Sequence, residues 1–379
     1  MADSKQIAAL ALCIQARVPA IIQGEPGTGK TKTIGAIVHQ LDEPLATFIP
    51  VVHEPQDIGG YPVPRTDADG HTSIKLALVG GWLDSILKAK KGTIFIDEIT
   101  CAPAMMMAAC LRPLDSRMIG EEQLSDDVAI VLACNPPEQA VGGQPIPPPM
   151  ANRVVWLDWG VDTQAAIDGF LGGWPTPSFP KLPADWRTYL PGQAALVASF
   201  FKRMPHHIQQ LPKNEDQRSG PWPSLRSWYS LGVPMLAACE AAHQGWDMKL
   251  LLLSGSVGIG TAQEFITWLK ALDLPDPEEL LLKPSKFKVY HDRPDKTFAV
   301  LNSVVSAAVR DLTVERWRAG WEILAIAAKD NATDLAAAAA MNLAMGRTGK
   351  NLPLYPELTE PYLPLLNAQK KLRQSMHKS

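Results

Sequence analysis

The chain has 379 residues, of which 46% are hydrophobic and 20% are charged. This balance is that of a folded globular protein of two or three domains, and it excludes a disordered tail, a collagen and a small disulfide scaffold. The 36 Lys and Arg residues nearly balance the 39 Asp and Glu residues, for a net charge of −3. The composition therefore disfavours a nonspecific binder of nucleic acid or of membrane surfaces.

The cysteines and the N-terminus indicate where the protein works. Five cysteines occur without a Cys-x-x-Cys pair, which is typical of buried free thiols in a reducing compartment. No cluster of basic residues precedes the first apolar stretch and no small-residue cleavage site follows it, so we expect no signal peptide. No apolar run reaches the roughly 18 residues of a membrane span. The sequence predicts a cytoplasmic protein without membrane contact.

In the first half of the chain, apolar β-branched runs alternate with helical periods. This alternation predicts an α/β fold with a parallel sheet covered by helices on both faces. The predicted strands are 19–23, 47–52, 92–96, 128–134 and 154–157, and the predicted helices between them are 8–17, 31–41 and 82–90.

After residue 183 the strand patterns stop and helical periods take over. A Pro- and Lys-rich stretch at 274–295 is typical of a linker. We therefore predict three parts, namely an α/β core (1–182), a helical lid (183–275) and a helical C-terminal extension (276–379).

One glycine-rich segment lies between the first strand and the helix that follows it. It fits the pattern G-x-x-x-x-G-K-[ST] of phosphate-binding loops. Glycines let backbone N–H groups curl around a phosphate, and the next helix presents its positive N-terminus to the anion. The lysine would reach the β- and γ-phosphates of ATP, and the last hydroxyl would bind Mg²⁺. A plain glycine-rich turn is the alternative. The segment consists of Gly24, Glu25, Pro26, Gly27, Thr28, Gly29, Lys30 and Thr31.

Polar residues end two apolar strands. Asp97 and Glu98 follow the strand at 92–96, and a buried strand needs paired carboxylates only for a cation or a reaction. We expect Asp97 to hold Mg²⁺ and Glu98 to activate the attacking water, with helix capping as the alternative. Asn135 ends the next strand. Because neighbouring parallel strands end at one edge of the sheet, Asn135 would reach the γ-phosphate or the water, unless it only forms a turn.

Four segments resemble the MoxR family of AAA+ ATPases, over about residues 8–275. FIDEITCAPAMMMAACLRPLDSRMIG (95–120) is similar to that family's D-E-I-N-x-A-P stretch and the helix after it. LACNPPEQ (132–139) and ANRVVWLDW (151–159) are similar to its A-x-x-N-P and D-R-F blocks. WPSLRSW (222–228) resembles its second sensor segment, where a Pro-Arg pair is more usual.

The resemblance implies a homo-hexameric ring with ATP at the subunit interfaces. On this reading Asn135 is the first sensor, and Arg153 is the arginine finger inserted into the neighbour's site, with Arg117 and Arg112 as alternatives. Arg226 matches the second sensor, near a helix start and facing the phosphates. Asn152 stands where the family has Asp, and Val154 where it has Phe.

The resemblance also implies a function. MoxR-like rings hydrolyse ATP with Mg²⁺ to remodel, assemble or activate a protein partner, usually one with a von Willebrand factor A domain. The D-x-S-x-S metal site of that domain is not present here, so the partner would be a separate chain. The irregular segment 56–81 and a hairpin at 118–127 would lie near the pore of the ring, with mobile surface as the alternative.

Three other functions fit the sequence less well. A nucleic-acid motor or loader is disfavoured by the net charge of −3 and by the absence of long Lys/Arg runs. A nucleotide-gated scaffold with little turnover is disfavoured by the intact Asp97-Glu98 pair. A small-molecule P-loop kinase fits poorly with a helical lid and sensor-like residues.

Overall fold

The computed structural model describes residues 3–136, 143–174, 176–347 and 350–368. The chain divides into two compact units. One consists of Met1–Ala184 and His207–Gln263, and the other of Asp185–His206 and Glu264–Ser379. The division into core, lid and extension at residues 182 and 275 stays a prediction.

All strands of the described residues lie in the first unit. Five of them form one parallel sheet of order β2-β5-β8-β1-β9, while β3 with β4 and β6 with β7 form antiparallel hairpins. The predicted α/β class with a parallel sheet is therefore confirmed. The strands are β1 (Ala20–Gln23), β2 (Leu45–Phe48), β3 (Tyr61–Thr66), β4 (Thr72–Ala77), β5 (Gly92–Ile96), β6 (Met118–Ile119), β7 (Glu122–Gln123), β8 (Val128–Cys134) and β9 (Val155–Asp158).

Helices make up most of the remaining structure, and the described residues after β9 contain no strand, as predicted. The helices are α1 (Ser4–Ala16), α2 (Lys30–Gln40), α3 (Gln56–Gly59), α4 (Asp84–Ala89), α5 (Ala104–Ser116), α6 (Pro148–Ala151), α7 (Thr163–Gly172), α8 (Leu190–Arg203), α9 (Glu215–Arg218), α10 (Val233–Ala241), α11 (Trp246–Val257), α12 (Ile259–Leu272), α13 (Pro277–Leu282), α14 (Pro294–Arg310), α15 (Val314–Lys329), α16 (Thr333–Gly346) and α17 (Pro356–Thr359).

The central strands β5 and β8 carry the core of the first unit. Every residue of both strands is buried, as expected of parallel strands whose two faces are covered. Their observed bounds are the predicted ones. The strand predicted at 47–52 instead ends at Phe48, because Pro50 begins a short 3-10 helix and cannot donate to a ladder.

The register of the sheet decides which residues meet at its carboxyl edge. Gln23 of β1 lies beside Cys134 of β8, and Ile96 of β5 lies beside Leu132. The ladder continues past the strands, since the N–H of Gly24 donates to the carbonyl of Cys134 at 3.2 Å. The phosphate-loop segment, Asp97 and Asn135 therefore leave the sheet side by side.

The long segment at 56–81 carries structure of its own. It contains α3 and the β3–β4 hairpin, in which Tyr61 pairs with Ala77 and Thr66 with Thr72. At the turn, the Asp67 carboxylate accepts hydrogen bonds from the N–H groups of Asp69 and His71, at 3.0 and 2.9 Å. These bonds stabilise the tip of a hairpin in a segment that the sequence predicts only as irregular.

The second unit is helical, and it corrects the predicted linker at 274–295. This stretch contains α13, whose Leu280 and Leu281 are buried with Phe287 against the unit's core. Pro277 occupies the first turn of α13, where proline needs no hydrogen-bond partner for its nitrogen. The linker interpretation was wrong because the prolines here begin helices and the apolar residues between them are buried.

The cysteines are free thiols, as the composition predicts. Cys13, Cys110, Cys134 and Cys239 are buried free thiols, and Cys101 is partly exposed. Burial raises the pKa of the Cys134 thiol to about 12, which leaves it protonated and unreactive. Among the described helices, none has both the length and the apolar character needed to cross a membrane.

Gly255 allows α11 to pack closely on β9. A Cβ atom at this position would lie 2.1 Å from the carbonyl oxygen of Trp156, and this backbone oxygen has no freedom to rotate away. We expect Gly255→Ala to lower the free energy of unfolding by about 1–3 kcal/mol, measured by chemical denaturation.

Gly260 in α12 provides the matched control, because an added Cβ there meets no heavy atom within 4 Å. Gly260→Ala should instead stabilise the helix by up to about 1 kcal/mol. Equal denaturation midpoints for the two variants would contradict the close packing of α11 on the sheet.

Candidate active site

The phosphate-loop segment joins β1 to α2 and needs glycine at specific positions. Gly27 and Gly29 have φ angles of 80° and 83°, in the left-handed region that favours glycine. Gly24 is restricted by space instead, because a Cβ there would lie 2.2 Å from the carbonyl oxygen of Trp159. The Thr28 hydroxyl donates to the carbonyl of Glu25 at 2.8 Å and stabilises the turn. The loop thus has the backbone shape that its sequence pattern predicts.

The Lys30 ammonium group is the centre of the site. It is buried, and it donates to the carbonyls of Gly24 at 2.6 Å and Glu25 at 3.1 Å, and to Asn135 Oδ1 at 2.9 Å. Burial lowers the pKa of Lys30, while the nearby charge of Asp97 opposes that shift. A single ammonium group therefore links the loop to the end of β8.

Thr31 and Asp97 form a second contact between the loop and the sheet. The Thr31 hydroxyl donates to Asp97 Oδ2 at 3.1 Å, in an exposed position at the start of α2. A hydroxyl and a carboxylate are oxygen ligands of the kind Mg²⁺ takes beside substrate phosphates. The chemistry of these two side chains thus fits the predicted metal ligands.

Glu98 has an unusual backbone conformation. Its φ angle is 53°, which is uncommon for a residue with a side chain. The N–H of Glu98 donates to Asp97 Oδ1 at 3.0 Å, which restrains the backbone in this conformation. Such conformations are costly and concentrate at functional sites. The Glu98 residue is exposed, and its carboxylate has no hydrogen bond or ion pair with any residue that the structure describes. A carboxylate without a protein partner is suited to accept a proton from water.

Asn135 lies where the sequence predicts it, at the end of β8 between β1 and β5. Its side chain is partly buried and contacts Lys30, so the amide lies beside the group expected to bind the γ-phosphate. Positions 137–139 of the segment that resembles the A-x-x-N-P block lie outside the described residues.

Arg153 lies in a second cluster of the same unit, and its partner was not predicted. Its Nε and Nη2 atoms donate to Asp115 Oδ1 at 2.9 and 2.7 Å, and Nη1 donates to the carbonyl of Pro149 at 2.6 Å. Hydrogen bonds from Arg153 lower the pKa of Asp115, and the more distant charge of Arg226 acts in the same direction. The sequence signal for Asp115 was an acid in the last turn of a helix, where it opposes the helix dipole.

Asn152 connects this cluster to the segment that precedes Arg226. Its buried side-chain amide donates to the carbonyl of Trp222 at 3.1 Å, and its Oδ1 accepts from the Ser224 hydroxyl at 2.5 Å. An aspartate here could accept from Ser224 but could not donate to Trp222. The departure from the D-R-F pattern is therefore chemically matched to its surroundings.

Arg226 is exposed beside the start of a helical segment, as predicted. Within the described parts of the chain it forms no hydrogen bond or ion pair, and its electrostatic effect is on Asp115. The structure thus pairs Arg153 with Asp115, while Arg226 acts on that carboxylate only through its charge. Their predicted roles at a phosphate stay predictions.

The alternative finger Arg117 is committed to the chain's own backbone. Its Nη2 donates to the carbonyls of Ser125 and Val128, at 2.5 and 2.8 Å, and burial lowers the pKa of its guanidinium. These bonds hold the connection into β8. Arg112, the other alternative, is partly buried in α5.

The two predicted loop regions form one continuous surface. The N–H of Gly120, at the β6–β7 turn, donates to the carbonyl of Ile58 at 2.7 Å. Glu121 Oε1 accepts from the N–H of Leu76 at 3.0 Å, which links this turn to β4. Ile74 is 70% exposed on the hairpin, so an apolar side chain is presented to solvent. The placement of this surface near a pore stays a prediction.

Comparison with known proteins gives partial matches. No protein-family model matches the chain. A segment of 121 residues, 30% of the chain, is 32% identical to the transcriptional regulator VasH of Vibrio cholerae serotype O1, and it spans only 22% of VasH.

Similar solved structures include a candidate ATPase from Cytophaga hutchinsonii, with 14% identity and a TM-score of 0.42 over 70% of this chain and 88% of that one. A full-length MCM homolog from Methanopyrus kandleri has 16% identity and a TM-score of 0.30, covering 69% of this chain and 54% of its own. NtrX from Brucella abortus has 14% identity and a TM-score of 0.27, and the match covers 87% of this chain and 66% of the NtrX chain. Likenesses this low assign no function to the chain.

Removal of the Lys30 ammonium tests the site directly. We expect Lys30→Ala to abolish ATP binding, because no other buried ammonium group reaches the loop carbonyls in the described structure. Titration calorimetry with ATP and Mg²⁺ would measure the loss. Lys32→Ala, which removes an exposed lysine of the same helix, is the control and should bind ATP normally. Equal affinity in both variants would contradict this site.

Proposed function

We propose that this protein is a Mg²⁺-dependent ATPase of the AAA+ class. The observation that carries the proposal is the convergence of three strand ends, which supply Lys30, Thr31, Asp97, Glu98 and Asn135 at one edge of the sheet. A glycine-rich loop alone would support binding of a phosphate. The additional carboxylates and amide supply what hydrolysis requires.

Each residue has a distinct task in this mechanism. Backbone N–H groups of the loop and the Lys30 ammonium bind the β- and γ-phosphates, and Lys30 exchanges loop carbonyls for phosphate oxygens. Thr31 and Asp97 hold Mg²⁺, which when bound neutralises charge on the phosphate oxygens. Glu98 orients a water and takes its proton during attack on the γ-phosphorus, while the Asn135 amide holds the γ-phosphate or that water in line.

Glu98→Gln separates ATP binding from hydrolysis. Glutamine keeps the size of the side chain but cannot take a proton, so we expect ATP affinity to persist while phosphate release falls by about 100-fold or more. Titration calorimetry and a phosphate-release assay would measure the two effects. Hydrolysis at the wild-type rate would show that Glu98 is not the base, and no hydrolysis by the wild type would refute the ATPase proposal.

More narrowly, we infer a MoxR-like homo-hexameric ring in which Arg153 completes the site of the neighbouring subunit. Support comes from the sequence segments that resemble this family and from a finger candidate whose guanidinium is held by the exposed carboxylate of Asp115. A positive group at the γ-phosphate stabilises the charge that spreads over its oxygens during transfer.

Mixing of subunits tests this trans arrangement. Arg153→Ala subunits keep an intact Lys30, and Lys30→Ala subunits keep an intact Arg153. We therefore expect each variant alone to be inactive and their mixture to regain part of the ATPase activity. Mixing Arg153→Ala with Lys30→Ala,Arg153→Ala subunits is the control and should restore nothing. Absence of rescue in the first mixture would place the finger elsewhere or in cis.

The work of such a ring would be done on a separate protein, which we propose to carry a von Willebrand factor A domain. The joined hairpins β3–β4 and β6–β7 are the proposed contact surface. The hydrogen bond between Glu121 and Leu76 joins the two hairpins, so we expect them to move as one unit. The exposed Ile74 suits contact with an apolar segment of a partner.

A further inference from the structure

The guanidinium of Arg153 is only partly used within its own subunit. Of its five N–H bonds, three donate to Asp115 and to the carbonyl of Pro149. The other two, one on each terminal nitrogen, have no partner among the residues that the structure describes. Arg153 is thus fixed in place while keeping two donors, which is the number a phosphate binds in the bidentate fashion.

The backbone that carries Arg153 is also fixed. The preceding residue, Asn152, is 5% exposed and is bonded to both Trp222 and Ser224. The following residues enter β9 of the central sheet. Movement of the guanidinium is therefore limited to rotation of the side chain, and Asp115 restrains its end.

Stability does not explain Asp115. The residue lies in the last turn of α5, where a negative charge opposes the helix dipole. Its side chain is 56% exposed, and an ion pair with so exposed a member adds little to the stability of a fold. The ion pair instead orients the guanidinium of Arg153.

We propose that Asp115 is a positioning residue that presents the two remaining N–H donors of Arg153 to the γ-phosphate of ATP in a neighbouring subunit. The inference rests on the ring of the proposed function and adds a residue to it. Asp115 acts through its hydrogen bonds to Arg153 and does not itself contact the phosphate. Arg226, which lies close enough to act on the same carboxylate, adds positive charge to the surface.

The proposal is tested with Asp115→Ala and Asp115→Asn in the full chain. Alanine frees the Arg153 side chain, and misplacement of a catalytic group costs about 100-fold in rate, so we expect kcat to fall by roughly 10- to 100-fold with little change in KM for ATP. Asparagine retains an oxygen that accepts from Arg153, and it should restore most of that loss.

Subunit mixing distinguishes positioning from a structural role. Asp115→Ala subunits mixed with Lys30→Ala subunits should regain activity, because the latter supply intact Asp115–Arg153 pairs to intact Lys30 sites. A fold defect within the Asp115→Ala subunit would not be corrected by a neighbour. Glu322→Ala, which removes an acid paired with Arg318 on α15, is the control and should keep the wild-type rate.

The outcomes separate this inference from the proposed function. If Arg153→Ala is rescued by Lys30→Ala but Asp115→Ala is not, the positioning role is overturned while the ring stands. A wild-type kcat for Asp115→Ala also overturns it. If wild-type protein does not hydrolyse ATP, both the proposed function and this inference fail.

Discussion

The register of the parallel sheet is the constraint on which the candidate site depends. Since β8 lies between β1 and β5, the strand that ends in Asn135 separates the phosphate loop from Asp97. A shift of one residue would turn each strand's side chains to the opposite face. Every residue of β5 and β8 is buried, so a shift would also draw a polar residue that follows one of these strands into the covered sheet. The core therefore fixes the spacing of the polar groups at its edge.

Much of this site could be predicted from the sequence because its signals are local. The glycine pattern, the apolar strand lengths and the polar residues directly after them each lie within a few residues, and physical rules connect them to one edge of a sheet. The contacts of Lys30 with Asn135 follow from that topology, although the two residues are separated by 105 positions.

The arginine cluster could be predicted only in part, since its contacts depend on how separate elements pack. Asp115 and Arg153 are 38 positions apart, and Asn152 and Ser224 are 72 apart. No local pattern pairs them. The same limit applies to 274–295. A linker and a short helix that begins with proline have similar compositions, and only the burial of Leu280 and Leu281 shows that this stretch is a helix packed on a core.

The hydrogen bonds of Lys30 have a consequence for the thermodynamics of ligand capture. A lysine side chain in water samples many rotamers, and ordering it costs about 1.5–2 kcal/mol of conformational entropy. Here the carbonyls of Gly24 and Glu25 already restrain that chain in the folded protein. That entropic cost is met during folding, so an incoming anion finds a preorganised cation and displaces carbonyl oxygens rather than a full hydration shell.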